Sequence, residues 1–169
     1  MPRIVTADGD TREDSWILIT SPEAEQAREL PDQPVLLPLQ LWLEGYEQYA
    51  GREDIGVWLD SHEEPETLAH RANELPLIAV NFPKFTDGRG YSTARLLRER
   101  YGYRNELRAI GDVLLDQLQF MKRCGFDTYA LRPDKDFSRA AHCLRFFSCA
   151  YQAACDTDQP LFRRRLTAA

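Results

Sequence analysis

No apolar stretch in this chain approaches the roughly 18–20 residues that a membrane-spanning helix requires, the longest running from residue 35 to 43. No membrane partner is expected. The opening MPRIVTADGDTRED turns acidic too early for a signal or transit peptide, which makes a cytoplasmic location the expectation. Nine glycines and ten prolines are too few for a fibrous or disordered chain. Histidine is scarce: His62, His70 and His142 form no H-E-x-x-H or other close ligand pair, so no metal site is expected. The four cysteines, Cys124, Cys143, Cys149 and Cys155, contain no C-x-x-C pair. On the helix expected over residues 137–155, each six-residue step rotates the side chain by about 240°, so the last three cysteines could not share one cluster. They are expected to be reduced, small, buried apolar side chains.

What is present describes one globular domain: 169 residues, 43% hydrophobic, 11% aromatic and 28% charged. The net charge of −6 hides a split, because residues 1–75 hold 5 Lys and Arg against 17 Asp and Glu, while residues 76–169 hold 16 against 10. Such asymmetry means either a basic surface for anionic ligands on the second half or an acidic segment packed beside that half. No nucleic-acid reader motif accompanies the arginines, and nucleic acid is not an expected partner.

Short apolar runs alternate with amphipathic ones from Ile55 onward. Strands are expected at Ile55–Leu59, Leu77–Phe82, residues 107–110 and Thr128–Leu131. Helices are expected from about residue 63, over residues 91–101 and 113–123, and, for five turns, over 137–155; Gly102 and Gly125 sit where helices end in a left-handed residue. Residues 15–20 read as a further strand, 39–49 as a helix and 21–34 as an acidic, proline-containing loop. The chain then divides into an N-terminal strand and loop (1–34), part of or appended to the core, an α/β domain (35–160) and a basic tail (161–169). The fold class is α/β, a mostly parallel sheet of four or more strands. Its first form is an open sheet with helices on both faces; the alternative, which the polar Arg108 inside LRAIG favours, is half of a (βα)8-type barrel.

Alternation of this kind puts every strand-to-helix turn at one edge of the sheet, the edge where ligands bind in open sheets and barrels. Those turns carry Asp60 and Ser61; residues 84–92; Gly111 and Asp112; and Arg132 with Asp134. The second, KFTDGRGYS, exceeds the usual two to six residues. Gly88 and Gly90 offer backbone freedom, Arg89 supplies a planar fork between them, and Ser92 or Thr93 could cap the next helix. With Lys84 and the free helix N–H groups, that makes a candidate oxyanion or phosphate site. Its candidate ligand-binding residues are Lys84, Gly88, Arg89, Gly90, Tyr91 and Ser92, with Asp87 and Asp112 as candidate proton-transfer groups. A plain Asp-Gly turn with Arg89 on the surface is the bland reading of the same residues.

The run from Asn81 to Asp127 resembles the most distinctive segment of a bacterial family, domain of unknown function 934, and the likeness extends to PLQLW at residues 38–42 and GVWLDS at 56–61. Members of that family are commonly described as oxidoreductases of sulfite reduction and tend to be encoded beside assimilatory sulfite reductase. The resemblance implies a role in sulfur assimilation. It identifies no cofactor, which stays unknown, and no flavin or nicotinamide fingerprint is present. Two functions are therefore expected as alternatives. One is a protein, enzyme by resemblance only, that holds a small sulfur oxyanion or phosphate-bearing ligand. The other is a non-catalytic accessory that docks on sulfite reductase or a neighbouring enzyme through its acidic half or its arginine tail. A second copy of the chain, as a homodimer, is a further candidate partner.

Overall fold

The computed structural model describes residues 2–20 and 30–167. Eight strands form one sheet: β1 (Arg3–Thr6), β2 (Thr11–Glu13), β3 (Ile17–Leu18), β4 (Val35–Pro38), β5 (Ile55–Leu59), β6 (Leu77–Phe82), β7 (Glu106–Val113) and β8 (Thr128–Leu131). Their order is β2-β1-β8-β7-β6-β5-β4-β3. Strands β3 to β8 run parallel, whereas β1 is antiparallel to both β2 and β8, so the sheet is mixed. The helices are α1 (Leu39–Glu44), α2 (Tyr46–Tyr49), α3 (Arg89–Glu99), α4 (Leu118–Arg123), α5 (Ala140–Leu144) and α6 (Leu161–Thr167), with short 3-10 turns between them.

Among the described residues the helices that pack on the sheet do so on one face, which corrects the expectation of an open sheet with helices on both faces. When neighbouring strands follow one another in sequence and every crossover has the same hand, all crossovers fall on one side. The packing agrees with this. Leu39 and Trp42 of α1, Ala94 and Leu97 of α3, Leu118 and Met121 of α4, and Ala140 and Leu144 of α5 share one buried cluster with Leu37, Val57, Val80, Phe82, Ala109 and Tyr129 of the sheet. The alternate strand residues Leu36, Leu77, Ala79 and Ile110 face the other way and pack with Trp16, Trp58 and Ala130. The sheet is therefore a curled half-barrel, convex toward its helices.

Chain length alone demands the curl. Strands β2 and β3 occupy opposite edges, about 34 Å apart in a flat eight-stranded sheet, seven spacings of about 4.8 Å. Only residues 14–16 join them, a reach of at most about 14 Å from Glu13 to Ile17. The link lies on the inner face, where Asp14 accepts two hydrogen bonds from Arg108 Nη1 (2.8 and 3.0 Å). Arg108 is 1% exposed, and its Nη2 donates to Glu106 Oε1 (2.8 Å). Trp16 enters the inner cluster, and Trp58 Nε1 donates to the Ile19 carbonyl (2.9 Å). The inner face is thus filled by the chain itself, and Arg108 sits at a polar inward position of a curved sheet, as its place in LRAIG suggests.

Four elements differ from the sequence-based expectations. Strand β7 runs on through Gly111 and Asp112 to Val113, with a register irregularity against β8, so those two residues are strand and not turn, and the following helix begins only at Leu118. The helix expected from residue 63 is a pair of 3-10 turns, and the one over 39–49 is interrupted at Gly45. The five-turn helix over 137–155 stops at Leu144. Beyond that residue the stripe has no surface to meet: Phe147 and Tyr151 are 64% and 65% exposed, and a helix without a buried face is marginal. With the helix goes the rotation argument for the cysteines. All four are free thiols, yet only Cys124 is buried and Cys149 is exposed. The expected loop over 21–34 lies largely outside the described residues. Helix α6 occupies most of the expected basic tail.

Two measurements test this frame. Asp14→Ala leaves the buried Arg108 short of a partner and is expected to lower stability by about 2–3 kcal/mol in urea unfolding. Glu106 is half a test of the same cluster. Burial pushes its carboxyl up, but the Thr128 hydroxyl and the Arg108 guanidinium outweigh that and hold it below the usual value. Because the folded-state value is depressed, the associated stability is present above the ordinary carboxylate range and is lost as pH falls through the folded value. Arg108→Met should flatten that acid limb of the stability–pH curve; an unchanged limb would remove the ion cluster as its source.

Candidate functional site

At the carboxyl edge, loops after β5, β6, β7 and β8 meet. Asp60, directly after β5, accepts from the Ser61 amide (2.7 Å) and from Asn81 Nδ2 on β6 (3.0 Å), and its other oxygen lies 3.4 Å from His62 Nδ1. Residues 84–87 then form a turn in which the Asp87 amide donates to the Lys84 carbonyl (2.9 Å). Arg89 opens α3 and grips Asp87 with both prongs of its fork, Nε to Oδ1 at 3.0 Å and Nη2 to Oδ2 at 2.6 Å, while Nη2 also donates to Ser61 Oγ (2.9 Å). The Arg89 guanidinium is thereby held in one orientation at the rim. It is 61% exposed, and its Nη1 makes no hydrogen bond among the described residues. The Lys84 side chain is exposed and makes none either among the described residues.

Asp112 joins the same cluster from β7. Its Oδ2 accepts from the Phe85 amide (2.8 Å), and its Oδ1 accepts from Arg132 Nη1 of the β8 loop (3.1 Å). Gln117 Nε2 donates to the Phe85 carbonyl (2.9 Å), so Phe85 is held through both backbone groups. Gly111, at φ +91, makes the approach of β7 to β6 possible: a Cβ there would lie 2.4 Å from Asn81 Oδ1 and 2.5 Å from the Phe82 carbonyl oxygen. Gly90 serves closeness and not backbone freedom, since a Cβ would strike the Phe82 ring at 2.7 Å.

The two candidate proton-transfer groups are both held as anions. Hydrogen bonds from the Arg89 side chain and amide keep the Asp87 carboxyl far below the usual range. The Phe85 amide and then Arg132 lower that of Asp112. Each carboxylate also holds a backbone group of the loop, Asp87 the Arg89 amide and Asp112 the Phe85 amide. Gly88 adopts an ordinary conformation (φ −85, ψ −3), and a Cβ there would meet only the Tyr91 ring at 4.0 Å, an ordinary contact, so its freedom is unused. Ser92 and Thr93 lie inside α3 and cap nothing; Asp87 takes the Arg89 amide (3.2 Å) and already occupies the anion position at that helix start. Tyr91 packs against Phe82 and Phe120 at ring separations of 5.1 and 4.9 Å. The structure thus brings Lys84, Asp87, Gly88, Arg89 and Asp112 into one cluster and assigns Tyr91, Ser92 and Gly90 to α3 and its packing. Asn81, Phe85 and Gln117 went unread in the sequence. Asn81 had a signal, being the single polar side chain in LIAVNF; Gln117 had none.

Residues 56–162 match the model of a protein family. The chain belongs to DUF934, a family of bacterial proteins of unknown function. No curated protein and no solved structure matches the chain. The DUF934 match contains every rim residue named above and leaves out β1 to β4 and the Asp14 link. Elsewhere in the DUF934 segment, an open cleft of about 650 Å³ lies at the amino edge of the sheet and includes Arg95, Arg98, Lys122, Asp127 and Cys155. Its strongest cation is spent on the fold: Arg98 donates to the Gly125, Tyr103 and Asn105 carbonyls and pairs with Asp127. Among the described residues no group of three or more His, Cys, Asp or Glu is arranged to hold a metal ion.

The two glycines predict opposite outcomes. Gly111→Ala combines a strained φ with contacts under 3 Å and is expected to cost about 2 kcal/mol or more in thermal unfolding. Gly88→Ala should stay within about 0.5 kcal/mol of the parent protein.

Proposed function

We propose that this protein binds a small oxyanion, a sulfur oxyanion or a phosphate-bearing ligand, at the carboxyl edge, between Lys84 and the unbonded Nη1 side of Arg89. The observation that carries the reading is the Asp87–Arg89 fork. A guanidinium locked by a two-pronged carboxylate contact keeps a fixed direction for its remaining donors, so little rotamer entropy is lost when an anion arrives. Asp87 then serves as a positioning residue, and Asp112 fixes the loop that carries Lys84. The sulfur part of the proposal, a place in sulfite reduction in the cytoplasm, rests on the family resemblance. No redox step is assigned to this chain's own residues.

A second reading, an accessory that docks on sulfite reductase or a neighbouring enzyme, is favoured by one observation: Phe146, Phe147, Tyr151 and Phe162 are each 49–65% exposed near the C-terminus. Calorimetric titration with sulfite, sulfate and phosphate separates the two. Arg89→Ala is expected to weaken oxyanion binding by about 1.5–3 kcal/mol, the worth of a charge-assisted hydrogen bond. Arg89→Lys should restore only part of it, since a point charge does not reproduce the fixed guanidinium. Equal affinity in all three proteins, or no binding by any anion, would leave the docking reading ahead.

A further inference from the structure

The rim holds Phe85 through both of its backbone polar groups. Its amide is bonded by Asp112 of β7 and its carbonyl by Gln117 of the following turn, and Asp112 is in turn tied to Arg132 of the β8 loop. Strand β7 and the turn that follows it therefore converge on the backbone of one residue, which stays 53% exposed. The other exposed ring nearby, Phe120, has a partner in Tyr91. Phe85 makes no ring or cation contact among the described residues. An exposed aromatic ring carried on a fixed backbone offers a flat apolar surface on which a planar group can stack.

The platform adjoins the cations of the oxyanion site. Lys84 precedes Phe85 directly, and the turn closed by the Asp87 amide and the Lys84 carbonyl brings Arg89 back toward it. Asp87 is neutralised by Arg89, and Asp112 by Arg132 and the Phe85 amide, while the exposed Lys84 ammonium, one residue before Phe85, pairs with no carboxylate among the described residues. We propose that the ligand of this rim is an oxyanion joined to a flat heterocycle, a nucleoside monophosphate in chemical class, with the heterocycle stacked on Phe85 and the phosphate between Lys84 and Arg89. The inference rests on the oxyanion reading above and adds the ring to it.

Titration calorimetry with adenosine monophosphate, ribose 5-phosphate and inorganic phosphate distinguishes the two parts. The full-length protein is expected to bind adenosine monophosphate roughly 5- to 100-fold more tightly than ribose 5-phosphate, the range of one base stacked on one aromatic side chain. Phe85→Ala should abolish that preference and leave the ribose 5-phosphate affinity unchanged, whereas Phe85→Tyr should keep the preference. Equal thermal unfolding of the three proteins establishes that the change is local. Equal affinity for adenosine monophosphate and ribose 5-phosphate in the parent protein, or an unaltered preference in Phe85→Ala, overturns the stacking inference while the oxyanion reading stands. Failure of all three compounds to bind overturns the stacking inference, and the oxyanion reading falls with it only where sulfite and sulfate fail to bind as well.

Discussion

Residues 14–16 tie together the two outer edges of an eight-stranded sheet, and the contact of Asp14 with the buried guanidinium of Arg108 anchors that tie inside the curl. Without so short a link, strands in this order could lie in a flatter sheet with a wet inner face. With it, the edges must approach, the strands must tilt around a common axis, and the inner face must close over Trp16, Trp58 and Ile110. A buried guanidinium is costly to desolvate, and here two carboxylates and the Thr128 hydroxyl surround it. The opposite charges of the two halves of the chain meet at this point: Asp14 from the acidic half and Arg108 from the basic half neutralise each other across 94 positions of sequence.

The curl also governs the chemistry of the rim. In a flat sheet the loops after β5 and β8 would stand about 14 Å apart, three strand spacings. Here hydrogen bonds run from Asn81 to Asp60, from Arg89 to Ser61, from the Phe85 amide to Asp112 and from Arg132 to Asp112, so that four consecutive loops share one network. Most of its charges are satisfied inside the network. What is left over, the Lys84 ammonium, Nη1 of Arg89 and the Phe85 ring, is a small set, and it is these unsatisfied groups on rigid supports that a ligand can use.

The strands at Ile55–Leu59, Leu77–Phe82 and Thr128–Leu131 were legible because their interiors are continuous apolar runs, and Gly102 and Gly125 marked helix ends at φ +65 and +103. The KFTDGRGYS loop was legible as a site through its length and its charged residues. Individual roles within it were not. Asp87 reads as a proton-transfer candidate in sequence, and only the structure shows that both prongs of the Arg89 fork close on it. Gly88 and Gly90 look alike in sequence, while their neighbours differ: the Tyr91 ring at an ordinary distance for one and the Phe82 ring, too close for a Cβ, for the other. The helix expected over 137–155 failed for a related reason, since a helical stripe forms a helix only as far as there is a surface to bury it.

Composition and periodicity by themselves determined that this is an α/β chain with parallel strand-helix units, and that its charged turns gather at one edge, because alternation of period 2 and period 3.6 patterns is a local property of the residues. Tertiary structure alone decided that the described helices packed on the sheet share one face, that β1 pairs with β8 in the opposite direction, that Arg108 is buried against Asp14, and that both backbone groups of Phe85 are held. Each of those facts is a pairing between residues far apart in the chain. Which distant partner a strand or a side chain meets depends on chain reach and on the space left by everything else, and neither is written in the residues on either side of it.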